Sequence, residues 1–203
     1  TFTSRKLPAA PVAKATTLPA PLDLSTGWTV AFGQNGTPQP MNALKSWTED
    51  EATRHFSGVA TYRKSVDVPA NLLQSGVGLQ LNFGEAKPAT PGRGMQRMQA
   101  LVEAPVREAA VVYVNGQRAG SVWHPPYVLD VSGLLKAGSN DIRIEVANLA
   151  VNTMASKPIP DYRETYKAVI AQLGDRFQPQ DMNQIQPITA GLLGPIQLVA
   201  TAK

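Results

Sequence analysis

The chain has 203 residues, of which 43% are hydrophobic and 17% are charged, so it is long and apolar enough for one domain with a single core. The 17 prolines and 16 glycines indicate many turns and few long helices, which favours an all-β fold. The net charge of +4 comes from scattered basic residues, which argues against nucleic-acid binding, and the absence of cysteine excludes disulfides and thiolate metal sites.

The N-terminal segment, residues 1–20, is rich in proline and alanine and resembles an interdomain linker. We therefore expect the folded domain to span residues 21–203. The segment lacks the pattern of a signal peptide, and no run of the sequence approaches the ~20 consecutive apolar residues of a transmembrane helix. The sequence predicts no membrane partner.

Short strands are predicted along the first half of the chain. The segments GWTVAFG and SGVATYRKSVDVP each indicate a strand, and the second ends at Pro69 because proline cannot donate to a sheet. In VGLQLNF the residues Val77, Leu79, Leu81 and Phe83 alternate with polar or small ones. This alternation predicts a strand with one face toward the core and one toward water.

A loop insertion and a hairpin follow. Residues 85–99 are basic and rich in proline and glycine, which predicts a loop between strands. The segment VREAAVVYVNGQRAGSVW predicts two strands joined at Asn115 and Gly116, which tolerate the positive φ of a two-residue turn. The run from Ala109 to Val114 is apolar on both faces, which indicates a strand in the interior of a sheet.

The segment Trp123-His124-Pro125-Pro126-Tyr127 follows the hairpin. Its two prolines cannot donate to a sheet, so the segment predicts a corner between two strands. In one interpretation the rings of Trp123 and Tyr127 pack at the edge of the fold, and in the other the segment binds a ligand. The packed interpretation predicts that Trp123→Ala destabilises the fold by several kcal/mol, as large buried aromatics do.

The rest of the chain adds a helical insertion at residues 153–186 between two further strands, DIRIEVAN and GPIQLVATA. Within it, PDYRETYKAVIAQLG predicts a helix of about three turns, with Glu164 as a capping-box partner and Gly174 as the stop. Seven or more short strands separated by glycine and proline predict an all-β fold. The predicted architecture is an antiparallel β-sandwich or jelly roll with one short helical insertion.

The sequence contains no recognisable catalytic constellation. The histidines His55 and His124 lie far apart, so a His-based metal site or triad is poorly supported, and no serine lies in a G-x-S-x-G elbow. A glycosidase needs only two carboxylates, and the candidates are Glu49, Asp50, Glu51, Glu103, Glu108, Asp130 and Glu145. Solvated positions fit most of them, and Asp130 fits a turn where it accepts backbone N–H bonds. We assign no catalytic residue and no metal ligand.

Aromatic side chains are the remaining candidates, because a pyranose ring packs its C–H face on Trp and Tyr rings. Trp28 lies within a predicted strand and fits a core position. Trp47 lies in a loop with polar neighbours, where exposure and burial fit about equally well. The candidate carbohydrate-binding residues are Trp47, Trp123, His124 and Tyr127.

Several motifs together resemble a known module. The segments FSGVATYRKSVDVP, LQLNFGEA, AAVVYVNGQRAGSVWHPPYVLDVSGLLKAGSNDIRIEVAN and GLLGPIQL are similar to the galactose-binding-like jelly-roll module of large glycoside hydrolases. The resemblance is closest to the C-terminal region of glycoside hydrolase family 106, the α-L-rhamnosidases, and extends to the sugar-binding domains of family 2. It covers residues 21–152 and 187–201. After VAN the sequence continues LAVNT, where similar proteins often carry a Trp and an Asn-Arg pair, so no role of those residues transfers.

The resemblance implies a non-catalytic domain that supports a catalytic domain and contacts carbohydrate. In such families the catalytic carboxylates lie on a separate (β/α)8 barrel, for which this chain has too few residues. The implied partners are the catalytic domain of the parent hydrolase and an oligosaccharide, in a periplasmic or secreted location. No cofactor is implied. A structural calcium ion is left open, and no pattern in the sequence indicates one. The alternatives are an autonomous carbohydrate-binding module and, more weakly supported, a complete small hydrolase.

Overall fold

The computed structural model describes residues 18–89, 102–158, 161–174 and 185–202, in which antiparallel strands are the main regular structure. The strands in chain order are β1 (Leu22–Asp23), β2 (Thr26–Phe32), β3 (Gln39–Ala43), β4 (Val59–Val68), β5 (Val77–Asn82), β6 (Lys87–Pro88), β7 (Val102–Glu103), β8 (Val106–Arg107), β9 (Ala109–Val114), β10 (Gln117–Val122), β11 (Val128–Asp130), β12 (Gly138–Ala147), β13 (Gly191–Leu192) and β14 (Gln197–Ala202). The helices are α1 (Val151–Met154) and α2 (Arg163–Leu173), and 3₁₀ turns cover Trp47–Glu49 and Ala70–Leu73. The structure confirms the all-β sandwich with a short helical insertion.

The strands form two main sheets. The six-stranded sheet has the order β10-β9-β12-β4-β2-β3, and the four-stranded sheet has the order β1-β14-β5-β11. Two short ribbons, β13 with β8 and β6 with β7, lie beside them. The pairs are antiparallel throughout these sheets, as expected for a sandwich built from hairpins and crossovers between two layers.

The core lies between the two sheets, and the alternation of side chains along each strand explains its composition. On β12, Ile142, Ile144 and Val146 are fully buried, while the residues between them reach the other face. On β5 of the opposite sheet, Leu79 and Leu81 are buried in the same way. Each such side chain removed from water contributes about 1.5–3 kcal/mol, so these facing rows supply much of the stability of the sandwich.

The predicted hairpin between β9 and β10 is confirmed. Its turn residues Asn115 and Gly116 have φ of 50° and 81°, as a two-residue turn between twisted strands requires. The side-chain amide of Asn115 donates to the carbonyl oxygen of Leu134 and to Oδ1 of Asn140, both at 2.8 Å. The prediction of an interior strand is also confirmed, because β9 lies between β10 and β12.

The helix predicted within the insertion is present as α2, and its cap differs from the prediction. The helix α2 ends at Gly174, whose φ is 58°, as predicted. The predicted capping box at Glu164 is wrong, since the N-cap residue Tyr162 makes no side-chain cap bond. The neighbouring Asp161 carboxylate is held by the Arg163 side chain instead, and Glu164 pairs with Lys167 at 2.7 Å.

Three predictions fall partly outside the described residues. These are the linker at 1–20, of which only residues 18–20 are described, the helical insertion at 153–186, of which residues 153–158, 161–174 and 185–186 are described, and the loop insertion at 85–99, of which residues 85–89 are described. Those five residues include β6, which pairs with β7. Neither of the two helices in the described part is long and apolar enough to cross a membrane.

Candidate functional site

The corner between β10 and β11 is the first candidate site, and the structure confirms that this segment turns the chain. Val122 ends β10 in the core, and Tyr127 is also buried, with 5% of its surface exposed. The carbonyl oxygen of Tyr127 accepts a hydrogen bond from the Phe83 backbone N–H at 2.9 Å. The buried ring and this bond fix the far end of the corner to the end of β5.

The near end of the corner is exposed. Trp123 has 64% of its surface exposed, and its ring meets that of His124 edge to face, with centroids 4.5 Å apart. Nδ1 of His124 lies 2.6 Å from the carbonyl oxygen of Pro125. The prediction that the Trp123 ring packs into the edge of the sandwich is therefore wrong, because Val122 takes the inward position and the next side chain along the strand points the other way.

Trp47 occupies the opposite environment. Only 1% of its surface is exposed, and its indole Nε1–H donates to the hydroxyl oxygen of Tyr62 at 2.6 Å. Phe32 and Phe56 pack edge to face against the ring, with centroids 5.4 and 5.6 Å away. In this position the ring has no free face for a sugar, so Trp47 is a core residue. Trp28, expected in the core, is also buried.

The buried Tyr62 hydroxyl is the polar centre of this cluster. It accepts from Trp47 and, at 3.4 Å, from the backbone N–H of Leu192. Burial raises the pKa of Tyr62, and the two hydrogen bonds oppose that rise. The phenol is buried, so its role is structural. Its hydroxyl oxygen accepts hydrogen bonds from two buried N–H groups.

A second buried polar residue, Asn152, joins the chain just before the helical insertion to the chain just after it. Its side-chain amide donates to the carbonyl oxygen of Ile188 and accepts from the Ile188 N–H, both at 2.9 Å. Its own carbonyl oxygen lies 3.2 Å from Nδ1 of His55. Sequence reasoning missed Asn152, since a single asparagine carries no periodic pattern. The His55 ring is used in this contact rather than facing a cavity.

The candidate carboxylates are spread over the molecule and most are engaged. Glu49 accepts from the Ser46 N–H at 3.0 Å in a capping box, and Asp50 pairs with Lys45 at 2.7 Å. Asp130 accepts from the Ser132 N–H at 2.8 Å, which confirms its predicted structural role.

The remaining carboxylates are surface groups. Glu51 lies 3.4 Å from Arg54, and Glu145 pairs with Arg143 on β12. Glu103 is exposed on β7, in the ribbon that β7 forms with β6, and Glu108 is half-buried. Within the described ranges, no group of three or more His, Cys, Asp or Glu side chains is placed to hold a metal ion.

Three cavities in the described part are shallow and open. One of about 330 Å³ lies along the edge strand β3, where Lys45 and Asp50 face Gln39 and Asn42. Another of about 500 Å³ lies on the outer face of the six-stranded sheet, and a third of about 530 Å³ lies beside the 3₁₀ turn Ala70–Leu73. None of these three is lined by the four predicted carbohydrate-binding residues. The structure brings together only Trp123 and His124 of that set as exposed rings.

Comparison with known proteins finds similarity to parts of glycoside hydrolases. No family model matches the chain. A protein of Formosa agariphila named "Putative beta-glucuronidase" is 30% identical, and the alignment covers 89% of this chain and 16% of that protein. The chain therefore spans about one sixth of the length of the curated relative it matches.

Solved structures of glycoside hydrolases share the fold. A rhamnosidase from Novosphingobium sp. PP1Y superposes with a TM-score of 0.62 and 24% identity, covering 97% of this chain and 17% of that one. A Bifidobacterium dentium beta-glucuronidase superposes with a TM-score of 0.58 and 19% identity, covering 94% of this chain and 31% of that one. This chain thus has the fold of a segment found within larger glycoside hydrolases.

Proposed function

We propose that this chain is a non-catalytic β-sandwich domain of a larger glycoside hydrolase, in which it supports the catalytic domain. The observation that carries the proposal is the pair of coverages: nearly all of this chain matches about one sixth of the Formosa protein and of the Novosphingobium rhamnosidase. The relatives therefore contain a long further stretch of chain in which a catalytic domain fits. A fold alone does not define an activity, so the site chemistry must agree.

The carboxylates of this chain support the proposal. Hydrolysis of a glycosidic bond needs two carboxyl groups about 5–9.5 Å apart, on either side of the substrate. Five of the seven candidates take part in caps, turns or ion pairs, at Glu49, Asp50, Glu51, Asp130 and Glu145. A carboxylate used in such a contact is directed at the protein's own groups and is a poor candidate for one of the two groups that flank a substrate.

We further propose an α-L-rhamnosidase-like parent enzyme, on the motif resemblance and on the superposition with the rhamnosidase. A β-glucuronidase-like parent is the competing choice, because the curated relative and other structural neighbours carry that name. The proposed location is periplasmic or secreted, as the motif resemblance implies. Assay on the two glycosides distinguishes the two proposed parent enzymes.

The test is hydrolysis by the chain alone. Purified chain is incubated with aryl α-L-rhamnoside, β-D-glucuronide and β-D-galactoside, and release of the aryl group is followed. The expected result is no turnover above the uncatalysed rate. Turnover at enzyme-like rates of about 1 per second or more would show that the chain is itself a hydrolase.

A second candidate function is carbohydrate binding, and the exposed ring of Trp123 beside His124 favours it. An indole that keeps one face in water can stack on a pyranose ring. Titration with rhamnose, galactose and plant or algal oligosaccharides, read by tryptophan fluorescence, tests this function. Binding lost in Trp123→Ala and kept in Trp47→Phe would establish it, whereas flat titrations at millimolar sugar would dismiss it.

A further inference from the structure

The outer face of the six-stranded sheet, opposite the core, changes character along its strands. At one end its side chains are polar. The hydroxyls of Ser65 and Ser139 lie 3.0 Å apart, and the Arg63 guanidinium lies 3.6 Å from the Asp141 carboxylate. This end has the hydrogen-bonding and charged side chains expected of a sheet face in contact with water.

The other end of the same face is apolar. Val59 on β4 pairs in register with Ala147 on β12, which pairs with Ala109 on β9. Val111, two residues further along β9, lies on the same face as Ala109. Val59 has 45% of its surface exposed, and the other three are half-buried. Short apolar side chains on three adjacent strands make this end smooth and poorly suited to hydration.

Two large exposed apolar side chains directly follow strands of this sheet. Trp123, 64% exposed, comes after Val122, which is buried and pairs with Ala110, the neighbour of Ala109. Leu149, two residues beyond the end of β12, has 51% of its surface exposed. We call this surface the apolar end of the outer face, and its members are Val59, Ala109, Val111, Trp123, Ala147 and Leu149.

The charges next to the apolar end are already neutralised. Arg143 and Glu145 form an ion pair on β12, and the guanidinium of Arg143 lies over the Tyr113 ring, 3.7 Å from its centroid. The shallow cavity of about 500 Å³ lies on the same face and is lined in part by Val59 and Glu145. Because Arg143 and Glu145 balance each other beside the apolar end, this part of the face fits an apolar partner surface better than a charged one.

We infer that the apolar end of the outer face docks against the catalytic part of the parent hydrolase chain. The inference rests on the proposed function and deepens it by naming the contact surface. The occupant follows from the relatives, in which about five sixths of the chain lies outside the matched segment. Alanine and valine allow close approach of a packed neighbour, and tryptophan is enriched among the residues that contribute most of the binding energy of interfaces.

The test uses thiol labelling, because this chain has no cysteine of its own. Val59→Cys places a thiol in the apolar end, and Ser65→Cys places a matched thiol on the polar end of the same face of β4. Ala147→Cys serves as a second probe if Val59→Cys fails to fold. Each variant is prepared in the 203-residue chain and in the longer polypeptide that the gene encodes, and labelling is read on the tryptic peptide.

The expected result is at least about a tenfold slower labelling of Val59→Cys in the longer polypeptide than in this chain, with Ser65→Cys unchanged. This factor corresponds to about 1.4 kcal/mol of protection. Equal labelling of Val59→Cys in both contexts would overturn the inference, and so would equal protection of both positions. Protection of Val59→Cys within this chain alone would also overturn the inference. If the chain sediments as a dimer, the occupant is a second copy of the chain. If protection requires added oligosaccharide, the occupant is a sugar.

Failure of the inference and failure of the proposed function are distinguishable. If the longer polypeptide hydrolyses aryl glycosides while Val59→Cys stays reactive, only the docking surface is wrong. If the longer polypeptide has no such activity, the proposed function itself is wrong.

Discussion

The environments of Trp47 and Trp123 are opposite, and this contrast gives the first prediction at the scale of single residues. Trp123 is 64% exposed and Trp47 is 1% exposed. We expect Trp123→Ala to change the free energy of unfolding by no more than about 0.5 kcal/mol, and Trp47→Ala to lower it by about 3–5 kcal/mol. Urea unfolding of the two variants checks this. Equal losses would mean that the Trp123 ring is packed after all.

The Tyr62 hydroxyl gives a second prediction at this scale. Tyr62→Phe leaves the Trp47 Nε1–H and the Leu192 N–H without their acceptor in the core, so we expect a loss of about 1–3 kcal/mol at neutral pH. The measurement is urea unfolding at pH 7. Since a phenylalanine of nearly the same shape fills the site, a loss below 0.5 kcal/mol, within the noise of surface substitutions, would mean that the two bonds contribute little.

The same residue predicts a dependence on pH. Burial raises the pKa of Tyr62 in the folded state above its ordinary value of 10.0. The unfolded chain therefore loses this proton first, and the stability that the neutral phenol contributes is present below pH 10 and falls as pH rises further. The free energy of unfolding of the wild-type chain should fall more steeply above pH 10 than that of the Tyr62→Phe variant. Parallel curves would contradict the raised pKa.

At the scale of elements, two glycines separate backbone strain from crowding. Gly116 in the hairpin has positive φ with open space around it, whereas a Cβ on Gly191 in β13 would lie 2.4 Å from Nε1 of Trp47. We expect Gly116→Ala to cost about 1–2 kcal/mol from the left-handed backbone alone. Gly191→Ala should cost more, because a forced overlap in a packed core adds about 1–3 kcal/mol. Thermal unfolding compares them, and a smaller loss for Gly191→Ala would contradict this packing.

Elements with a strong local pattern could be predicted from the sequence, and the others could not. Alternation along β5 and β12 and the Asn115–Gly116 turn are local properties, and the structure confirms them. The ribbons β6 with β7 and β8 with β13 have two residues per strand, too short to show a period. The capping box at Glu164 failed because Asp161 and Glu164 found other partners, Arg163 and Lys167.

The candidate site was less predictable than the fold, since burial of a loop side chain depends on what packs over it. Trp47 and Trp123 both lie beside polar or proline-rich neighbours in sequence, and the aromatic side chains of Phe32 and Phe56 enclose only the first. One sequence feature indicated more than the position of a strand. The run from Ala109 to Val114 is apolar on both faces, which correctly indicated an interior strand and also marked the apolar end of the outer face.

At the scale of the whole molecule, the sandwich has the fold of a segment found within much longer hydrolases. This partial coverage is the observation behind the proposed supporting role. A core formed between two sheets leaves the two outer faces free, and one of them is polar at one end and apolar at the other. Such a division suits a domain that is covered on one side by its own polypeptide.

The most direct measurement of the central claim is the glycosidase activity of the proposed longer polypeptide, compared with that of this chain under the same conditions. We predict that the longer polypeptide releases the aryl group from α-L-rhamnoside, or from β-D-glucuronide if the parent is of that kind, while this chain releases none. Activity in this chain alone, or a longer polypeptide inactive on all of these glycosides, would contradict the account.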